Sequence, residues 1–189
     1  MNNITRRRRA MMGEKEEPAR LPAEYQEVEW IGTNGMATAS AFPYISPGVK
    51  AINGDVITIW FKPISFSSEC CVIGNNQSPQ LETYYSNAST IKVYLMQKAT
   101  LSVGTPYDTI VAYASERTNN TYKIGYWNTN YLANYRAFYL KHVRGGNTLL
   151  ELIPCYRKAD GVIGMYDLVS ESFFANSGTG TFAKGGNVN

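Results

Sequence analysis

From Leu21 onward the chain consists of short apolar runs, each closed by Gly, Asn, Ser or Pro. Residues 25–31 alternate, with Tyr25, Glu27, Glu29 and Ile31 on one side and Gln26, Val28 and Trp30 on the other. This is a period-2 strand that can bury Val28 and Trp30. Residues 57–61 follow the turn Asn53-Gly54-Asp55 and are stopped by Pro63. Further strands are predicted over 71–73, 91–96, 109–114 and 122–126. The clearest hairpin joins 137–143 to 149–155 across 144–148 (RGGNT), because its glycines accept the positive φ a tight turn requires. Asp160-Gly161 turns the chain again before 163–168, and a last pair of strands, 172–175 and 181–183, brackets the glycine-rich stretch 176–180. No interval carries an amphipathic helical stripe. About ten short strands without crossover helices predict an all-β domain of two packed antiparallel sheets.

Composition agrees with that pattern. Apolar residues make up 44% of 189 residues and charged ones 17%, enough for one core and too little charge for disorder. Residues 1–20 differ: six basic side chains stand against three acidic ones, with no apolar period, so this stretch is expected to be an extended basic arm ahead of a domain over 21–189. The domain itself carries twelve charges of each sign, which argues against a nucleic-acid footprint across its surface. Cys70, Cys71 and Cys155 are an odd count without metal-ligand spacing, and adjacent cysteines seldom pair, so free thiols in a reducing compartment are expected. No run of 18 apolar residues is present, and Arg6 to Arg9 lead into no signal-peptide core. Neither a membrane span nor ordinary secretion is expected.

Catalytic chemistry is sparse. The single histidine, His142, lies inside a predicted strand with no Gly-x-Ser-x-Gly elbow, and it reads as structural or surface. Glu27 and Glu29 share a strand face, as glycosidase carboxylates do, but no third acid sits beside them, so they read as a solvated outer face. The aspartates are scattered and head no calcium loop. No catalytic residue, metal or cofactor is therefore assigned. The most ligand-like stretch runs from Tyr126 through Trp127, Asn128, Thr129 and Asn130 to Tyr131, since aromatic faces stack on sugars while amides bind hydroxyls. Tyr84 and Tyr85, followed by Ser86 and Asn87, have the same make-up. Polar loops whose aromatics cover the edge of the core account for both stretches as well, and no spacing rule chooses between the two readings. In the arm, Arg6, Arg7, Arg8 and Arg9 suit a docking peptide better than a DNA contact, because four arginines release few counterions, with Met11 and Met12 as adaptable apolar anchors.

Residues 21–31 (LPAEYQEVEWI), 153–168 (IPCYRKADGVIGMYDL) and 176–182 (NSGTGTF) resemble the opening and closing segments of laminin-G-like, concanavalin A-like domains found in small proteins of gut bacteria and their phages. The arginines and methionines of the arm also resemble the start of phage-encoded members. Between the matching ends the middle of the chain, roughly 42–135, departs from the pattern, as residues 35–42 (GMATASAF) already do, and the resemblance transfers no binding residue. It implies a jelly-roll sandwich with a role in carbohydrate or surface recognition. The resulting expectation is a non-enzymatic virion protein of a phage, attached to capsid or tail by its arm, present in many copies or as a homo-oligomer, and displaying a lectin-like sandwich toward surface glycans. A carbohydrate-binding or adhesin module of a bacterial cell surface is the alternative. A glycoside hydrolase of the same fold is the third.

Overall fold

The computed structural model describes residues 21–33, 41–52, 54–64, 70–74, 82–87, 90–93, 97–100, 107–112, 120–125 and 134–188. For 63, 70–72, 82–87, 90–93, 97–100, 107–112 and 120 it describes the backbone course alone. The strands, in chain order, are β1 (Tyr25–Glu27), β2 (Ile31–Gly32), β3 (Lys50–Ala51), β4 (Val56–Pro63), β5 (Cys70–Gly74), β6 (Glu82–Asn87), β7 (Thr90–Val93), β8 (Gln97–Thr100) and β9 (Tyr107–Ala112). There follow β10 (Asn120–Thr121), β11 (Lys123–Ile124), β12 (Tyr135–Arg144), β13 (Asn147–Arg157), β14 (Ile163–Asp167), β15 (Ser172–Ala175) and β16 (Ala183–Lys184). Every pairing is antiparallel, and the described residues contain no helix.

A nine-stranded sheet is centred on β12 and β13, a five-stranded sheet runs β11-β5-β6-β7-β8, and β10 pairs with β3. The predicted hairpin is present, with strands that run further into the connection than expected: Arg144 pairs with Asn147 across Gly145 and Gly146, whose φ angles of 54° and 83° suit a two-residue turn. The remaining strands add to it: β4 pairs along β12, β9 along β4, and β14 and β15 extend the sheet beyond β13.

Two bulges decide what faces the core. Between Ala137 and Tyr139 of β12 the register against β4 slips by one, with Phe138 as the extra residue, so Ala137 and Leu140 both reach the inner face. Trp60, Phe138 and Tyr139 instead form a second cluster with Ile153, and the Trp60 and Phe138 rings stack at 4.6 Å. A second slip, between His142 and Val143, leaves Leu149 unpaired. On the inner face Ile57, Ile59, Phe61, Leu140, Leu152 and Met165 share one buried cluster with Ile73 of β5 and Ile124 of β11. Side chains from the nine-stranded and five-stranded sheets thus meet in one core, an all-β arrangement consistent with a β-sandwich.

The first strand departs from its expected course. Residues 25–31 are not one continuous strand: β1 pairs with β13, Val28 makes a lone bridge to Asn187, and β2 then pairs with β12 and β16. The chain changes partners at Glu29 and Trp30, which breaks the alternation. Ile31, expected beside the glutamates, is fully buried with Val28, while Trp30 is half-buried on the other cluster with the Arg136 guanidinium over its ring at 4.0 Å. The last expected pair also separates: β15 pairs with β14 and β16 with β2, so 172–175 and 181–183 do not pair with each other.

Candidate functional site

The most concentrated set of ionisable groups among the described residues gathers around His142. Inward-facing positions of β12 place its ring at the end of the core, and the turn before β4 brings Asp55 to it. His142 Nε2 lies 2.7 Å from Asp55 Oδ2, and neither side chain has any exposed surface. An ionised carboxylate only accepts, so Nε2 carries the proton and Nδ1 accepts from the Tyr122 hydroxyl at 3.2 Å. Asp55 accepts as well from Arg144 Nε (2.8 Å, Oδ1), Arg144 Nη2 (2.9 Å, Oδ2) and the Ile52 N–H (2.9 Å, Oδ2). Arg144 Nη2 also donates to the Lys50 carbonyl.

The electrostatics follow from this geometry. Burial alone raises the Asp55 carboxyl, but hydrogen bonds from Arg144, the Ile52 amide and His142 outweigh it and hold the group at about 2. Burial pushes His142 below its usual range against the opposing pull of Asp55, so the ring is neutral at pH 7. Burial, with Asp55 and Asp167 adding to it, raises Tyr122 far above the usual tyrosine range, and its hydroxyl stays protonated. The residue types are those of a hydrolytic dyad, yet both ring nitrogens are committed, and no serine, threonine or cysteine is recorded in contact with them among the described residues. The cluster ties Asp55 and the Lys50 carbonyl to β12 and to the residue before β11.

A second polar construction closes the β13–β14 connection. Arg157 Nη2 meets Asp160 Oδ2 at 2.6 Å, and Asp160 Oδ1 accepts from the Val162 N–H, closing the Asp160-Gly161 turn. Opposite stands the loop 176–181. Asn176 Oδ1 accepts from the N–H groups of Gly178 and Tyr44, and its Nδ2 donates to the Gly180 carbonyl. Glycine is required at 178 because a Cβ there collides with the Phe42 carbonyl. Between the two loops opens a cleft of about 270 Å3, lined by Asp160, Val162, Ile163, Asn176, Thr181 and Phe182 among others.

Most of the residues singled out from sequence lie outside the described residues. Trp127, Asn128, Asn130 and Tyr131, and the arm residues Arg6, Arg7, Arg8, Arg9, Met11 and Met12, lie outside the described residues. Tyr84 and Tyr85 belong to β6, hydrogen-bonded to β5 on one edge and β7 on the other, and not to a polar loop; their side chains lie outside the description. Glu27 and Glu29 are half-buried, and no group of three His, Cys, Asp or Glu among the described residues is placed to hold a metal. Cys155 forms no disulfide and is fully buried, as expected for a small apolar side chain. The Asp55–His142 pairing was missed. Its one signal was parity: His142 shares the inward phase of Leu140, and Asp55 follows a turn. Compared with known proteins, the chain matches no family model, no curated protein and no solved structure.

Proposed function

We propose that this chain is a non-catalytic structural protein of a phage particle, held to capsid or tail by its arm (Arg6 to Arg9, Met11, Met12) in many copies, with a jelly-roll, lectin-like sandwich facing outward for carbohydrate or host-surface contact. The observation that carries this reading is the meeting of the two family-like segments. Tyr25, Gln26 and Glu27 of the opening motif pair with Arg157, Tyr156 and Cys155 of the closing one, although about 130 residues separate them. The resemblance therefore falls on one continuous piece of sheet, as expected of a shared scaffold rather than of two chance matches. Burial of the only histidine supports a binding role, because the side chain best suited to acid–base work at neutral pH is sealed inside the fold. Glycan contact is assigned, on sequence grounds, to the stretch from Trp127 to Tyr131 and to Tyr84 and Tyr85.

The test is incorporation. Removing residues 1–20 is expected to leave a folded domain, since the described strands begin at Tyr25, and to abolish cosedimentation with particles. Cosedimentation of the truncated chain at the full-length level contradicts the docking role.

A further inference from the structure

β3 and β10 form a two-stranded pair that belongs to neither large sheet. Together with the turn after β3 and with Tyr122 they make a small flap, residues 50–55 and 120–122, at the His142 end of the core. Among its described residues only Ala51 and Tyr122 are buried apolar side chains, whereas β4 alone carries Ile57, Ile59, Trp60 and Phe61. The side-chain ties of the flap to the nine-stranded sheet converge on one charged cluster. Asp55 accepts from His142 and Arg144, Tyr122 donates to the same imidazole, and Arg144 donates to the Lys50 carbonyl. A segment with little buried apolar surface, held by a few side chains, opens before the sheet it is tied to. We propose that this flap is an acid-released latch: uptake of one proton by His142 opens it while both large sheets stay folded.

The closed state has no place for that proton. Nε2 already donates to Asp55, and Nδ1 accepts from Tyr122. Protonation at Nδ1 turns the acceptor into a donor, so the Tyr122 hydroxyl has to rotate, and its own proton loses its recorded acceptor inside the core. The imidazolium also has to share the Asp55 carboxylate with Arg144, two cations on one anion, and burial opposes its charge. Among the described residues the strands beside the ring add no charge, since its cross-strand neighbours are Ile57 of β4 and Leu150 of β13. A further carboxylate, Asp167 of β14, acts on Tyr122. Once the flap opens, the ring meets water and returns to its ordinary value of 6.5. Because the closed value lies lower, the open state binds the extra proton as pH falls below 6.5. Each further pH unit then shifts the flap toward open by up to about tenfold, until the closed ring itself titrates. Above pH 6.5 the ring is neutral in both states, and pH no longer moves the flap.

Amide hydrogen exchange of the full chain, followed by NMR from about pH 7.5 to about pH 5 and expressed as protection over the intrinsic rate at each pH, tests the latch. The Ile52 and Asp55 amides, bonded to Asp55 Oδ2 and to the Ile52 carbonyl, report the flap, and the most protected amides of β12 and β13 report the sheet. Flap protection is expected to lie at least about tenfold below that of the sheet near neutral pH, and to fall by up to about tenfold per pH unit below 6.5. His142→Gln is expected to abolish that pH dependence. Equal protection of flap and sheet amides at every pH means that opening is global and overturns the proposal, as does flap protection that does not change with pH. A pH dependence that survives in His142→Gln overturns it too, by assigning the proton to another group. Both comparisons within the native chain decide the matter even where the variant fails to fold.

Discussion

His142 Nε2 and Asp55 Oδ2 lie 2.7 Å apart with no exposed surface on either side chain, 87 residues apart in the chain. Arg144, at the strand end, completes the Asp55 carboxylate and covers the pair from solvent. The arrangement gives the fold a titratable lock whose two components respond in separate pH windows.

Above pH 6.5 His142 is neutral in both folded and unfolded chains. Because its folded pKa is lowered, the unfolded chain binds the extra proton as pH falls below 6.5, and stability declines there. As the chain has no other histidine, denaturant unfolding at pH 7.5 and 5.5 reads this contribution directly. A decline is expected for the native chain and should be much reduced in His142→Gln. A flat profile in the native chain contradicts a buried neutral imidazole.

Asp55 acts lower. Its carboxyl, held at about 2 against an ordinary 3.8, contributes stability that is complete above pH 3.8 and disappears as pH falls toward 2, amounting to about 2 kcal/mol. Asp55→Ala leaves His142, Arg144 and the Ile52 amide without their acceptor, and a loss of about 3–5 kcal/mol at pH 7 is expected by denaturant titration. A loss below about 1 kcal/mol would show that water replaces the carboxylate and that the network is not closed.

Gly164, inside the closing motif, tests whether that motif is scaffold. A Cβ at this position collides with the Phe174 carbonyl of the adjoining strand and with the Phe173 ring. Gly164→Ala is therefore expected to cost about 1–3 kcal/mol by pushing β15 away from β14, read as a lower thermal midpoint. An unchanged midpoint would place β15 outside the cooperative fold.

How much of this was legible in the sequence follows from local geometry. The β12–β13 hairpin was readable because two consecutive glycines accept the positive φ that tight hairpin turns require, and β15 because its run is bounded on both sides. β6 was not, since Ser and Asn beside two tyrosines resemble a loop until neighbouring strands satisfy the backbone on both edges. The jog at Glu29 and Trp30 was hidden for a related reason. Alternation reports one pairing partner, and this segment changes partner midway. The Asp55–His142 contact depends on tertiary approach alone, and a lone histidine carries no mark of which carboxylate will find it.

Glu27 and Glu29 give a check on catalysis. β1 and the irregular residues after it leave them half-buried. Replacing both by Gln is expected to change no glycan-cleaving activity, because none is expected from the native chain across a broad oligosaccharide panel. Reproducible product from the native chain that is lost in the double variant overturns the binding-only account.

Particle composition tests the central claim most directly. Quantitative mass spectrometry of phage particles, purified on a density gradient from the strain that carries this gene, is expected to find the chain at many copies per particle, comigrating with the other virion proteins. Its recovery only from the soluble fraction of lysed cells, with none on intact particles, would contradict the account.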